Sequence, residues 1–153
     1  MQGPINQNDS WHGVKPIKEK MKKISSGPAY LKGKTWSEDL YDKVDPVATH
    51  CHWALRNCEQ NPEKLKKLLI NIIEHYKNNH SECHSSSRCK TDNNYEPSRL
   101  VIVDKFTEKL LLGVITSSNL YKYPEDYVLA KDTYYVESFN NTMNMFQDKR
   151  ICF

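Results

Sequence analysis

The run Asn61-Pro62-Glu63, followed by Leu65, Leu68, Leu69, Ile72, Ile73 and Tyr76, is the feature that most limits what this chain can fold into. An asparagine able to accept from free amides, a proline whose fixed φ suits a first turn and an acid at the positive end of the dipole together open a helix. The apolar positions then recur three and four apart, so one stripe must be buried. A second stripe is close at hand. Leu40, Val44, Val47, Cys51, Leu55 and Cys58 predict a helix over Ser37–Cys58, with a natural fresh start at Asp45-Pro46. Only a short turn separates the two, which predicts an antiparallel hairpin with Cys58 at the turn and His80 at the far end. At 1.5 Å rise per residue these two are roughly 25–30 Å apart, so Cys58 stays out of any site built on His80. The cysteines on the stripe read as small core residues, while His50, His52 and Trp53 lie off its centre, toward a neighbour or an outside partner.

Other helices follow from the same spacing. Ile17, Met21 and Ile24 share one face, with Asp9 as a cap and Pro16 in a first-turn position. Val103, Phe106, Leu110 and Val114 favour a helix to about Ser117 over a short strand at Leu100–Val103. Pro124 opens a short helix or turn through Ala130. Val136, Phe139, Met143 and Phe146 give a terminal helix, whose other face carries Glu137, Asn140, Asn141, Asn144 and Asp148. That face is polar yet nearly uncharged, although asparagine is a mediocre helix former. The expected fold is mostly α, with about five or six helices by this count.

Bulk properties narrow the class. The chain has 153 residues, enough for one domain with a core, and a mean hydropathy of −0.77 that describes a polar protein. No apolar run approaches the roughly 20 residues that span a bilayer, and no signal-peptide pattern opens the chain, so an intracellular protein without a membrane role is expected. Five cysteines among six histidines suit a reducing compartment and metal binding better than a disulfide framework. The net charge of +3 is modest, but Val14–Lys34 holds seven lysines against Glu19 alone. That is enough for a phosphate-facing patch, and is also typical of a solvated helix face.

The second informative stretch is His80-Ser-Glu-Cys83-His84-Ser-Ser-Ser-Arg-Cys89. Two thiolates and an imidazole in a serine-rich loop with little core of its own are how a small zinc site is often built. His80, Cys83 and Cys89 are three candidate ligands for a structural Zn²⁺. The fourth is His84, His75 on the preceding helix, or a residue from elsewhere, and a free-thiol loop is the alternative.

Taken in order, Asp9-x-Trp-His12 with trailing lysines, the helical stretch, the His/Cys loop, Val-Glu137-Ser-Phe-Asn-Asn and Lys149-Arg150-Ile resemble the C-terminal part of DDE-type cut-and-paste DNA transposases of the Mutator and Kolobok kind. The resemblance implies an RNase H-like core whose strands are largely missing here, with a helical insertion and a C-terminal catalytic helix. It divides the chain into an Asp-x-x-His and basic segment (1–35), the insertion (36–98) and the Glu-bearing helices (99–153). Glu137 would be the third catalytic carboxylate, with Asp9, His12, Asn140, Asn141 and Asn144 as signature or supporting residues. A rival assignment makes Asp9 itself the second catalytic Asp. In an intact parent, Mg²⁺ or Mn²⁺ on three carboxylates would drive in-line attack on DNA phosphodiesters. Transposon-end and target DNA would be the partners in the nucleus, with Lys15, Lys18, Lys22, Lys23, Lys149 and Arg150 on phosphates and a homo-oligomer as a further expectation. With at least one catalytic Asp lacking, this chain alone is expected to be inactive. A non-catalytic, transposon-derived module binding DNA or protein is the alternative.

Overall fold

The computed structural model describes residues 10–129, which form six α-helices and three short 3₁₀ turns, with no strand among the described residues. The mostly helical expectation holds for them. Asp9, Glu137, Asn140, Asn141, Asn144, Lys149 and Arg150 lie outside the described residues, as does the predicted terminal helix.

Helix α3 (Pro62–Tyr76) starts where the capping residues place it. Asn61 Oδ1 accepts from the amides of Glu63 and Lys64 at 3.0 and 3.3 Å. Leu65, Leu69, Ile72 and Ile73 are buried, with Leu68 and Tyr76 partly so. Helix α2 (Val44–Asn57) packs against it and buries Val47, Cys51, Ala54 and Leu55. The turn between them carries Glu59 and Gln60 at φ 56° and 58°, a left-handed pair that reverses the chain within a few residues.

The helix expected from Ser37 divides in two, because Glu38–Lys43 is a 3₁₀ turn capped by Ser37. The cause is Lys43. Its side chain is fully buried, and its Nζ donates to the Asp39 carbonyl at 2.7 Å and to Asp42 Oδ1 at 2.9 Å. The Asp39 carbonyl thus serves an ammonium, and α-helical geometry begins only at Val44.

Helix α1 (Ser10–Ser25) buries Val14, Ile17 and Met21 and packs on α2 and on two later helices, α5 (Lys105–Thr116) and α6 (Asn119–Lys122). Pro16 sits inside the helix and not in its first turn: the helix has already begun by Ser10, so the ring is accepted on the exposed side at the cost of one helical hydrogen bond. Helix α5 (Lys105–Thr116) begins later than the stripe predicts. Asp104 caps it, accepting from Thr107 N at 2.9 Å. Val103 is therefore 84% exposed, and the buried face is Thr107, Leu111, Val114 and Ile115. Two pieces follow, a short α6 (Asn119–Lys122) that the pattern did not reveal and a 3₁₀ turn at Pro124–Asp126. One core draws on all three segments of the expected division, from Met21 through Leu55 and Leu69 to Leu111 and Leu120.

Two glycines test this packing in opposite directions. A Cβ on Gly13 would stand 2.6 Å from Tyr127 Cε1, an atom of a buried ring, whereas one on Gly113 in α5 meets nothing within 4 Å. Gly13→Ala is expected to destabilise by about 1–3 kcal/mol, and Gly113→Ala to stabilise by about 0.5–1 kcal/mol. Urea midpoints of the two variants check both signs.

Candidate metal centre

Helix α3 ends at Tyr76, and the chain turns back at once. Asn78 is left-handed, with φ 66°, a conformation that asparagine accepts more readily than most side-chain-bearing residues. The following loop returns over the end of α3, and the short helix α4 (Arg88–Thr91) carries Cys89. Four donors converge as a result. The ligand atoms of His75, His80, Cys83 and Cys89 all lie within 4.8 Å of one another.

The separations suit a tetrahedral ion. Cys83 Sγ is 3.6 Å from His75 Nδ1 and 3.5 Å from His80 Nδ1, and Cys89 Sγ is 3.8 Å from His75 Nδ1. Zinc–sulfur and zinc–nitrogen bond lengths in a tetrahedron call for sulfur–nitrogen edges of about 3.6 Å. The group can therefore hold a divalent metal such as zinc without rebuilding the loop.

The surroundings orient the donors. His80 Nε2 lies 2.8 Å from Asn78 Oδ1, an oxygen that can only accept, so that nitrogen carries the proton and Nδ1 presents its lone pair to the group. Asn71 Nδ2 donates to Cys83 Sγ at 3.3 Å from a buried position on α3, the polarity that suits a thiolate. Burial, with the His80 ring, lowers the pKa of His75; burial, with Lys90, lowers that of His80. Both imidazoles are neutral near pH 7, the form that binds metals. Burial and the neighbouring Cys83 thiol push Cys89 up to about 11, so a metal must displace protons from the sulfurs.

Of the two histidines weighed as fourth donor, His75 takes the place and His84 does not. His84 Nδ1 accepts from the Ser86 amide at 3.1 Å and lies 2.7 Å from its hydroxyl, and its ring stands edge-on to Trp53. The ring series continues through His50, which meets both Trp53 and His75. Asn71 and Asn78 escaped sequence reasoning entirely. Asn71, a polar residue among the leucines and isoleucines of α3, was the one available signal.

The remaining candidates lie apart. Lys15, Lys22 and Lys23 are exposed on α1, Lys18 forms a 2.9 Å ion pair with Asp45, and His12 is exposed near the start of α1. His52 stacks on Trp11, and Cys51 and Cys58 are core residues, the former pushed up to about 12 by burial.

Cobalt(II) is expected to bind with the charge-transfer and ligand-field spectrum of a tetrahedral two-thiolate site. Cys89→Ser or His75→Ala should abolish that spectrum, and His84→Ala should leave it intact. A second expectation concerns pH in the metal-free chain. Burial, aided by His75, lowers His50 from 6.5 to about 4, so the unfolded chain takes up a proton before the folded one does. Stability should be unaffected by this group above pH 6.5 and fall by up to about 3 kcal/mol as pH drops toward 4. Urea titrations of wild type and His50→Leu across that window measure it, with the shallower pH dependence in the variant.

No family model, curated protein or solved structure matches this chain.

Proposed function

We propose that this chain is a zinc-stapled, non-catalytic helical module that engages DNA through the lysine face of α1, derived from the C-terminal part of a cut-and-paste transposase. The observation that carries the zinc half is the set of four convergent donors with His80 held by Asn78. A set of four protein donors leaves no coordination position for water or substrate, which argues for a structural ion and against a hydrolytic one. The loop also needs such an ion. Between Lys77 and Val101 only Cys83 is buried, so apolar packing contributes little to its order. A structural zinc contributes on the order of 10 kcal/mol to folding.

The DNA half is supported by α1. One face of that helix is fixed in the core through Val14, Ile17 and Met21, and Lys15, Lys22 and Lys23 stand exposed on the rest of it. Exposed ammonium groups carried by a helix fixed in the core suit a phosphate backbone. The order of motifs along the chain supports the transposase origin. In that reading Mg²⁺ or Mn²⁺ would belong to the intact parent, with Glu137 as one ligand, and the module alone performs no strand transfer.

Zinc should copurify with the chain in a 1:1 ratio and be lost in Cys89→Ser. Duplex DNA should bind with an affinity that falls steeply with salt, and the triple change Lys15→Gln, Lys22→Gln, Lys23→Gln should weaken binding and flatten the log–log salt slope by about 0.9 per lost phosphate contact. Salt-independent binding, or an unchanged slope in the triple variant, rejects the α1 interface. Magnesium-dependent cleavage by the module would reject its non-catalytic assignment.

A further inference from the structure

A cleft of about 620 Å³ opens beside the donor group, between the start of α2 and the loop that returns from Cys89. Its lining combines two chemistries, aromatic and cationic. Trp53, Tyr76 and Tyr95 supply aromatic surface, and Arg88 and Arg99 stand at its edge with three serines nearby. The zinc staple uses none of these side chains. Arg99 is exposed and has no salt bridge among the described residues, and Arg88 is held only loosely, its Nε 3.7 Å from Asp92 with the side chain 80% exposed. Both guanidinium groups are thus available to an incoming anion.

We propose that this cleft takes one unpaired nucleotide, its base against Trp53, Tyr76 and Tyr95 and its phosphate on Arg88 and Arg99. Each part of the ligand answers a part of the lining. Planar guanidinium forks match the several oxygens of a phosphate, and aromatic side chains hold bases by stacking, with little regard to which base it is. An apolar ligand would leave the arginines unused, and a bare inorganic anion would leave the aromatic wall unused. Two carboxylates oppose an anion here: Asp92, 3.7 Å from Arg88 Nε, and Asp45 at the cleft edge, which is paired with Lys18 at 2.9 Å. Lys22 and Arg99 also act on the Asp45 carboxylate, so the basic face of α1 and the arginine edge of the cleft adjoin. A strand whose phosphates follow α1 can therefore deliver one residue into the cleft.

The inference rests on the zinc-staple reading in one respect. Ser86, Ser87 and Arg88 lie between the two cysteine ligands, His75 lines the cleft, and the Tyr95 ring leans on that of His80 with centroids 5.3 Å apart. A bound metal would hold this wall in shape.

The test uses the full chain, with its zinc content measured first, and follows tryptophan fluorescence. Adenosine 5′-monophosphate and a short oligothymidylate should both quench saturably, and adenosine or inorganic phosphate alone should bind about tenfold more weakly or worse. Arg88→Gln with Arg99→Gln should raise Kd about tenfold or more without shifting the thermal midpoint, since both side chains are exposed, and Trp53→Phe should remove the quench. Tighter binding of the oligonucleotide assigns the cleft to a strand; equal binding assigns it to free nucleotides. A zinc-loaded chain that binds neither probe, or a double arginine variant of unchanged affinity, overturns the cleft and leaves the staple standing. A zinc-free chain overturns the staple on its own count.

Discussion

A buried ammonium group organises the part of this molecule that matters most. Lys43 has no exposed side-chain surface, so its charge must be satisfied within the protein, and it is satisfied by the Asp39 carbonyl, the Asp42 carboxylate and the face of Tyr76 at 5.8 Å. Each of the last two partners holds something further. The other oxygen of Asp42 accepts from Leu100 N at 2.8 Å, and the Tyr76 carbonyl accepts from Ile102 N at the same distance. Both ends of the loop between α3 and α5 are thereby fastened at one place. Closing a loop by its base removes much of the entropy that would otherwise keep its distant residues apart. His75, His80, Cys83 and Cys89 meet because the span that carries them starts and finishes at the same anchor.

The helices were largely legible in the sequence, and the joints between them were not. Apolar periodicity located α1, α2 and α3 because each buries one stripe, and the Asn61 cap fixed a boundary to the residue. It misplaced the start of α5, since Val103 has the right spacing but the wrong side of a cap; Ile102, in the extended approach to that cap, takes the core position instead. Pro16 was misassigned for a related reason: a proline tolerated on an exposed helix face looks no different in sequence from one that opens a helix.

The donor group divides the same way. Histidine and cysteine spacing marks the loop, yet choosing between His75 and His84 requires knowing which way the chain turns after α3. That depends on a left-handed asparagine, and asparagine occurs in many loops without adopting that conformation. Once the turn is made, His75 faces the returning sulfurs while His84 is drawn off by Ser86 and Trp53. Asn71 could not have been assigned from spacing, because its role depends on a sulfur twelve residues away. Of the likeness to transposases, the His/Cys loop falls within the described residues and Glu137 does not.

The placement of the thiols has a practical corollary. Of the four described cysteines, Cys51 and Cys58 are sealed in the core with no accessible surface, and Cys89, in the loop, is partly open to solvent. An alkylating reagent applied to the native chain thus samples the loop first, while modification of the inner pair keeps time with global opening. The molecule carries two chemical clocks of its own, one for the tethered excursion beyond α3 and one for the body beneath it.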